Sequence, residues 1–166
     1  MIYLSALETI VIIVSMMITN GSAVLVGQGY PIDLGRKFID GKRILGDGKS
    51  FEGALIALLY GSAILILLSN IFSVTHVIPI GIIALLGALL GDIVASFVKR
   101  RLGLERGSPL PIVDQLDFYI GGILLLLAIG VIMDVVVIIV FTPIVFIMHR
   151  LTNIIAYRLG LKDVPW

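Results

Sequence analysis

Apolar residues run along most of this chain in blocks too long for the interior of a soluble domain, with the polar residues gathered into a few clusters between them. The blocks predict helices near Ile2 to Val26, Phe51 to Ser69, Val77 to Val98, Asp114 to Met133 and Val135 to Tyr157. Each is close to the roughly 20 residues that cross a bilayer core. The last two come from one apolar run, residues 118–148, broken only by Asp134. As a single helix that run would be about 46 Å long, beyond the hydrocarbon thickness without heavy tilt. Gly130 and Asp134 predict a tight turn instead.

Charge orients the drawing. With five spans, Arg36, Lys37, Lys42, Arg43, Lys49, Lys99, Arg100, Arg101, Arg106, Arg150, Arg158 and Lys162 all fall on one side, which the positive-inside rule makes cytoplasmic. Four spans would send Arg150, Arg158 and Lys162 outward. The expectation is therefore an all-α integral membrane protein: a bundle of five transmembrane helices, N-terminus outside, C-terminus cytoplasmic, cytoplasmic loops near 27–50 and 99–113, and one catalytic domain over 1–166. An apolar fraction of 59% agrees with that class. The N-terminal segment has no basic n-region and no small-residue cleavage site, so it is expected to be retained as a helix. A net charge of +1, with every basic cluster beside a span, gives no sign of nucleic-acid binding. The chain has no cysteine, which excludes disulfides, thiol catalysis and thiolate metal sites.

Small residues predict close helix packing. Gly53, Ala57 and Gly61 form one stripe, and Gly87 with Gly91 forms GxxxG on the third span. Pro143 is expected to kink the fifth span. The longest polar segment, residues 27–53, repeats glycine and places Asp33, Asp40 and Asp47 seven apart among basic residues. A loop that only fixes topology needs the lysines but not these glycines and aspartates. Glycine lets backbone amides approach an anion, so a phosphate-contacting loop is predicted. GDGKS resembles the end of a Walker A loop, but Arg43 stands where the first glycine is required and no strand precedes it, so a P-loop is rejected. Ser50 can cap the second helix while Lys49 reaches a phosphate. Asn20 beside Gly21, near the inner end of the first span, makes either an interhelical hydrogen bond or a ligand contact.

The densest chemistry lies in residues 91–118. On a helix Asp92, Ser96 and Lys99 share a face, as do Asp114 and Asp117. Three carboxylates and several cations then meet where two helices join at one membrane surface. Hard oxygens hold Mg²⁺ and Lys or Arg neutralise phosphate, so this set suits a Mg²⁺-phosphate ligand. An ion pair between Asp92 and Lys99 alone would leave Asp114 and Asp117 without a purpose.

Together these residues resemble the CDP-archaeol synthases, membrane cytidylyltransferases of archaeal lipid synthesis. The resemblance covers most of the chain. It rests on Asn20-Gly21, on PIDLG followed by DGKRILGDGKS in the first loop, and on the stretch from Gly91-Asp92 through SFVKR to Asp114 and Asp117. That stretch is also similar to the CDP-diacylglycerol synthase signature, Ser-x-x-Lys-Arg and later Asp-Arg-x-Asp: Ser96, Lys99 and Arg100 match the first half, Asp114 and Asp117 the second. The chain departs from the bacterial and eukaryotic form, which has His-Gly-Gly before the first aspartate and Arg after it. Here Leu110-Pro111-Ile112-Val113 precede Asp114 and Gln115 follows, so the bacterial lipid substrate is not implied.

The resemblance implies transfer of CMP from CTP to the phosphate of an isoprenoid diether lipid, with release of pyrophosphate and a requirement for Mg²⁺. Under it, Asp92, Asp114 and Asp117 hold metal and with Lys99 form the catalytic set. Asn20, Asp33, Lys37, Arg43, Gly46, Asp47, Gly48, Lys49, Ser50, Ser96 and Arg100 bind substrate. For Asp33 and Asp47, orienting the loop, binding metal and contacting nucleotide all remain open. The competing class is a small ion-coupled transporter with Asp92 as the coupling carboxylate. It predicts polar groups across the bilayer and an inverted repeat, whereas the polar residues here crowd one surface. The aspartate-rich motif of CDP-alcohol phosphatidyltransferases is absent. Hydrolase triads are disfavoured because His76 and His149 fall at opposite surfaces.

Overall fold

The structure, a computed structural model, describes residues 1–105 and 107–166; Arg106, counted above among the inner-side cations, lies outside the described residues. Five helices form it: α1 (Ala6–Ser22), α2 (Phe51–Ile71), α3 (Ile78–Arg101), α4 (Val113–Ala128) and α5 (Val135–Arg158). A 3-10 turn, Ala23–Val26, prolongs α1. Among the described residues four helices are long and apolar enough to cross a membrane, and α4, with 16 residues, is shorter.

Two expected boundaries shift for identifiable reasons. The first helix starts at Ala6 and not at Ile2, because Ser5 and Glu8 form a reciprocal cap: Ser5 N donates to Glu8 Oε2 at 2.7 Å and Glu8 N to Ser5 Oγ at 3.4 Å. The residues before it form a short strand, β1 (Ile2–Tyr3), parallel to β2 (Val131–Ile132). The fourth helix therefore stops at Ala128, well before Met133. The predicted turn follows, with Gly130 at φ 79 and Asp134 capping α5 by accepting from Val137 N at 3.0 Å. Pro143 lies inside α5.

α1 is the central post. Val11, Ile12, Ile13 and Met16 are buried, and so are the polar Thr9, Ser15 and Thr19. The Ser15 and Thr19 hydroxyls donate to carbonyls one turn back, at 2.7 and 2.9 Å, which satisfies polar groups in an apolar interior. The predicted small-residue stripe of α2, Gly53, Ala57 and Gly61, is buried, with Gly61 against Thr19 of α1. Gly87 and Gly91 of α3 meet Gly121 and Gly122 of α4 backbone to backbone; a Cβ on Gly87 would lie 2.8 Å from the Gly121 oxygen. This contact carries Asp92 and Asp117 into one neighbourhood. Leu59, Ile66, Leu124, Ile139 and Ile147 face outward, as expected for a lipid-facing surface.

Candidate active site

The first loop has an internal architecture built on Asp33. Its two arms pair where Ile32 N donates to Lys49 O at 2.8 Å and Phe38 N to Lys42 O at 2.8 Å. The Asp33 side chain has no accessible surface. It accepts from Arg43 Nε at 3.1 Å and Nη2 at 2.7 Å, from the Leu45 and Gly46 amides at 2.9 Å each, and from the Gly35 amide at 3.1 Å. Those bonds, the Arg43 guanidinium first, hold its carboxyl well below the usual carboxylate range, and Asp33 in turn holds the Arg43 proton more tightly than usual. Arg43 also pairs with Asp47 at 2.8 Å. Gly46 takes φ 90, a backbone state that glycine adopts without strain.

Arg101 fastens this loop to α3. Its guanidinium donates to Asp40 Oδ1 at 2.6 Å and to the Arg43 carbonyl at 2.5 Å. It also stacks on Phe38 and Phe97, 4.8 and 4.9 Å from the ring centroids. Sequence reasoning treated Arg101 as a topological charge only.

Between the loop and the bundle lies a cavity of about 510 Å³ at the end where α1, α3 and α5 finish and α2 and α4 begin. Asp92, Ser96, Lys99 and Arg100 of α3 line it, together with Asp114 and Asp117 of α4, Asn20 near the end of α1, and Gly46, Asp47, Gly48, Lys49 and Ser50 of the loop. Three expected substrate contacts do not line it: Asp33 and Arg43 are engaged with each other inside the loop, and Lys37 is exposed on its outer side. Lys49 Nζ pairs with Asp92 Oδ2 at 2.5 Å, and Lys99 Nζ reaches both Asp114 oxygens at 3.0 and 2.9 Å. Asp114 also accepts from the Leu110 amide at 2.9 Å, and Asp117 accepts from the Phe118 amide at 2.6 Å. Arg100 Nε is buried without a hydrogen-bond partner among the described residues. Ser50 Oγ caps α2 through the Gly53 amide at 3.1 Å.

A wall of this cavity that the sequence did not suggest comes from α5 and the residues after it: His149, Asn153, Lys162 and Trp166. His149, Asn153 and Ala156 stand at i, i+4 and i+7, one helix face, and that spacing was the available signal. Lys162 lies outside the helix, and burial, with the nearby Lys49 charge, pushes its ammonium pKa down. His149 stacks on Phe118 at this end, while His76 contacts Glu8 elsewhere.

Aspartate oxygens dominate the cavity's acidic groups, as a hard cation requires. Among the described residues, no three His, Cys, Asp or Glu side chains are grouped closely enough to hold a metal ion by themselves. Asp92, Asp114 and Asp117, expected together as metal ligands, are thus not grouped as a metal-binding set: Asp92 pairs with Lys49 and Asp114 with Lys99.

Fold and site together define an integral membrane protein with a cavity lined by aspartates, lysines and an arginine at one end of its helices. The family model described as CarS-like, CDP-archaeol synthase, matches residues 1–166. The chain is 48% identical over 164 residues to the CDP-archaeol synthase of Hyperthermus butylicus, covering 98% of each chain. It is 43% identical over 150 residues to that of Sulfolobus acidocaldarius, covering 90% of this chain and 91% of the relative. A solved intramembrane enzyme for archaeal membrane lipid biosynthesis superposes with a TM-score of 0.82 at 39% identity, over 92% of this chain and 96% of that one. The chain belongs to the CDP-archaeol synthase family.

Proposed function

We propose that the cavity between the first loop and the inner ends of the helices is where this membrane cytidylyltransferase makes CDP-archaeol. The acceptor is the phosphate of an isoprenoid diether lipid and the donor is CTP. An oxygen of the lipid phosphate attacks the α-phosphorus of CTP; the bond from that phosphorus to the bridging oxygen breaks, and pyrophosphate leaves with the electron pair. A phosphate monoester is largely ionised near neutral pH, so no general base is needed and the main barrier is repulsion between two polyanions. The observation that carries this reading is the gathering of Asp92, Asp114 and Asp117 with Lys49, Lys99 and Arg100 around one cavity.

Lys49 and Lys99, paired with aspartates in the structure, turn to the nucleotide phosphates when these arrive. Arg100, with its Nε lacking a partner among the described residues, takes a further phosphate oxygen. Gly46 to Gly48 supply close backbone approach, Ser50 orders the start of α2, and Asn20 and Ser96 contact substrate. Asp33 and Arg43 act one step back, by holding the shape of the loop. Asp92 and Asp117 would hold a divalent cation, Mg²⁺, which supplies charge neutralisation at the α-phosphate and the departing pyrophosphate. Asp114 positions Lys99 and completes the acidic wall.

The bundle spans the membrane five times, with the N-terminus outside and the cavity and C-terminus on the cytoplasmic side; one-sided lysine and arginine support this. The test is turnover in detergent with CTP, ATP, GTP and UTP against several lipid phosphates. CTP with a diether lipid phosphate is expected to react fastest. Equal use of all four nucleotides would contradict the assignment.

A further inference from the structure

After α5 the chain reverses at Gly160, φ 72, and runs back across the cavity. This strap is tied down at its far end, where Trp166 Nε1 donates to the Gly107 carbonyl at 2.6 Å. Lys162 is part of it. Its Nζ donates to Asn153 Oδ1 at 3.0 Å and to the Trp166 main-chain oxygen at 2.7 Å. Lys49 and Lys99 each hold a carboxylate of the proposed catalytic set; Lys162 is a third lysine in the same cavity and holds none of them.

A second pocket, of about 230 Å³, opens on the other side of the same residues. Pro109, Pro111 and Phe146 give it mostly apolar walls, with Gln115 and Arg150 beside them, and Asn153 and Trp166 line both it and the polar cavity. The two oxygens that hold Lys162 Nζ therefore belong to the residues at the boundary between a polar and an apolar space. Cytosine can stack on an aromatic wall, but long hydrocarbon chains leave water only in an apolar space, so the acceptor gains more from this pocket than CTP does. A lipid phosphate has a polar and an apolar part, and it needs a cation where its headgroup meets its chains. Lys162 lies near enough to Lys49 to feel its charge, so a phosphate held at Lys162 would face nucleotide phosphates held at the loop wall.

We infer that Lys162 binds the phosphate of the lipid acceptor and that the pocket between Phe146 and the two prolines takes the adjoining part of its hydrocarbon chains. The inference rests on the cytidylyl-transfer reading and adds a seat for the acceptor distinct from that of the nucleotide. Asn153 acts as a positioning residue by fixing the ammonium at the boundary.

Initial rates of the full-length protein in detergent test this, with either substrate varied while the other saturates. For Lys162→Ala the KM for the diether lipid phosphate is expected to rise about tenfold or more, the size of one lost charge-assisted contact, with the KM for CTP within about twofold. Lys162→Arg should recover most of the loss. Phe146→Trp, which fills the apolar pocket, should raise the KM for a long-chain acceptor and spare a short-chain one. A rise confined to CTP, an equal rise for both substrates, or no change for Lys162→Ala would overturn the inference. Should that variant fail to fold, amine acylation of Lys162 in the unmodified protein decides. A diether lipid phosphate should protect it while CTP alone and the unphosphorylated diether do not, and protection by either of the latter would overturn the inference. A wild-type protein with no cytidylyl transfer would refute the underlying reading instead, and the protection pattern would still report whether the acceptor seat exists.

Discussion

Asp33→Asn separates the architecture of the first loop from that of the membrane bundle. The native carboxylate is inaccessible and accepts from Arg43 twice and from three backbone amides. Asparagine keeps one acceptor oxygen and turns the other position into a donor, which then faces Arg43 together with either the Gly35 amide or the Leu45 and Gly46 amides. Removing one member of a buried ion pair costs about 3 kcal/mol, which corresponds to roughly 10²-fold in a local opening equilibrium. Hydrogen exchange read by mass spectrometry should show residues 27–50 exchanging faster by about that factor, with the interior of α1 unchanged, and CTP binding should weaken as the Gly46 to Gly48 wall loosens. The sign with pH follows from the lowered carboxyl pKa. The stabilisation is complete above the unfolded-state value of about 3.9 and is lost only as pH falls through the lower folded-state value. Loop protection in the wild type should therefore be flat from about pH 5 to 8. Unaltered exchange in the variant, or wild-type loosening between pH 5 and 7, would refute the assignment of Asp33 as the loop's hub.

Other expectations follow from the cavity and the helix contacts. Asp117→Asn should lower turnover by at least about 10²-fold while the protein stays folded in detergent; near-normal turnover at limiting Mg²⁺ would remove Asp117 from metal binding. Gly91→Ala places a Cβ against the Asp117 backbone and should cost about 2 kcal/mol by overpacking, read as a lower Tm with a fall in kcat; an unshifted Tm would mean that α3 and α4 do not pack as described. Single cysteines at Lys37 and Arg158 should be labelled only from the cytoplasmic side and one at Ser73 only from outside, and outside labelling of Arg158 would replace five spans with four.

The helices were legible because a bilayer demands long apolar runs, and the break in 118–148 was legible because Gly130 and Asp134 are a turn former and a helix cap. The start at Ser5 was missed because apolar Ile2 and Tyr3 join a strand that only forms once Val131 is brought beside them. That Asp92, Asp114, Asp117 and Lys99 line one cavity was readable because helix periodicity fixes their facing. The loop was harder: the roles of Asp33 stay open in sequence, and only its hydrogen bonds to Arg43, ten residues on, show that the pair holds the loop's shape. The α5 wall was missed because Lys162 had already been explained by topology. A charge that satisfies one rule carries no visible mark of a second role, and Lys162 meets the cavity only through the reversal at Gly160.

The central claim is that CTP gives up its α-phosphoryl group, with the nucleoside attached, to a lipid phosphate. The most direct measurement uses the purified protein, a diether lipid phosphate, Mg²⁺ and CTP labelled at either the α- or the γ-phosphorus. Label from the α position should enter the lipid fraction, and label from the γ position should appear only in pyrophosphate. Lipid labelled from the γ position, or no labelled lipid from either, would contradict cytidylyl transfer.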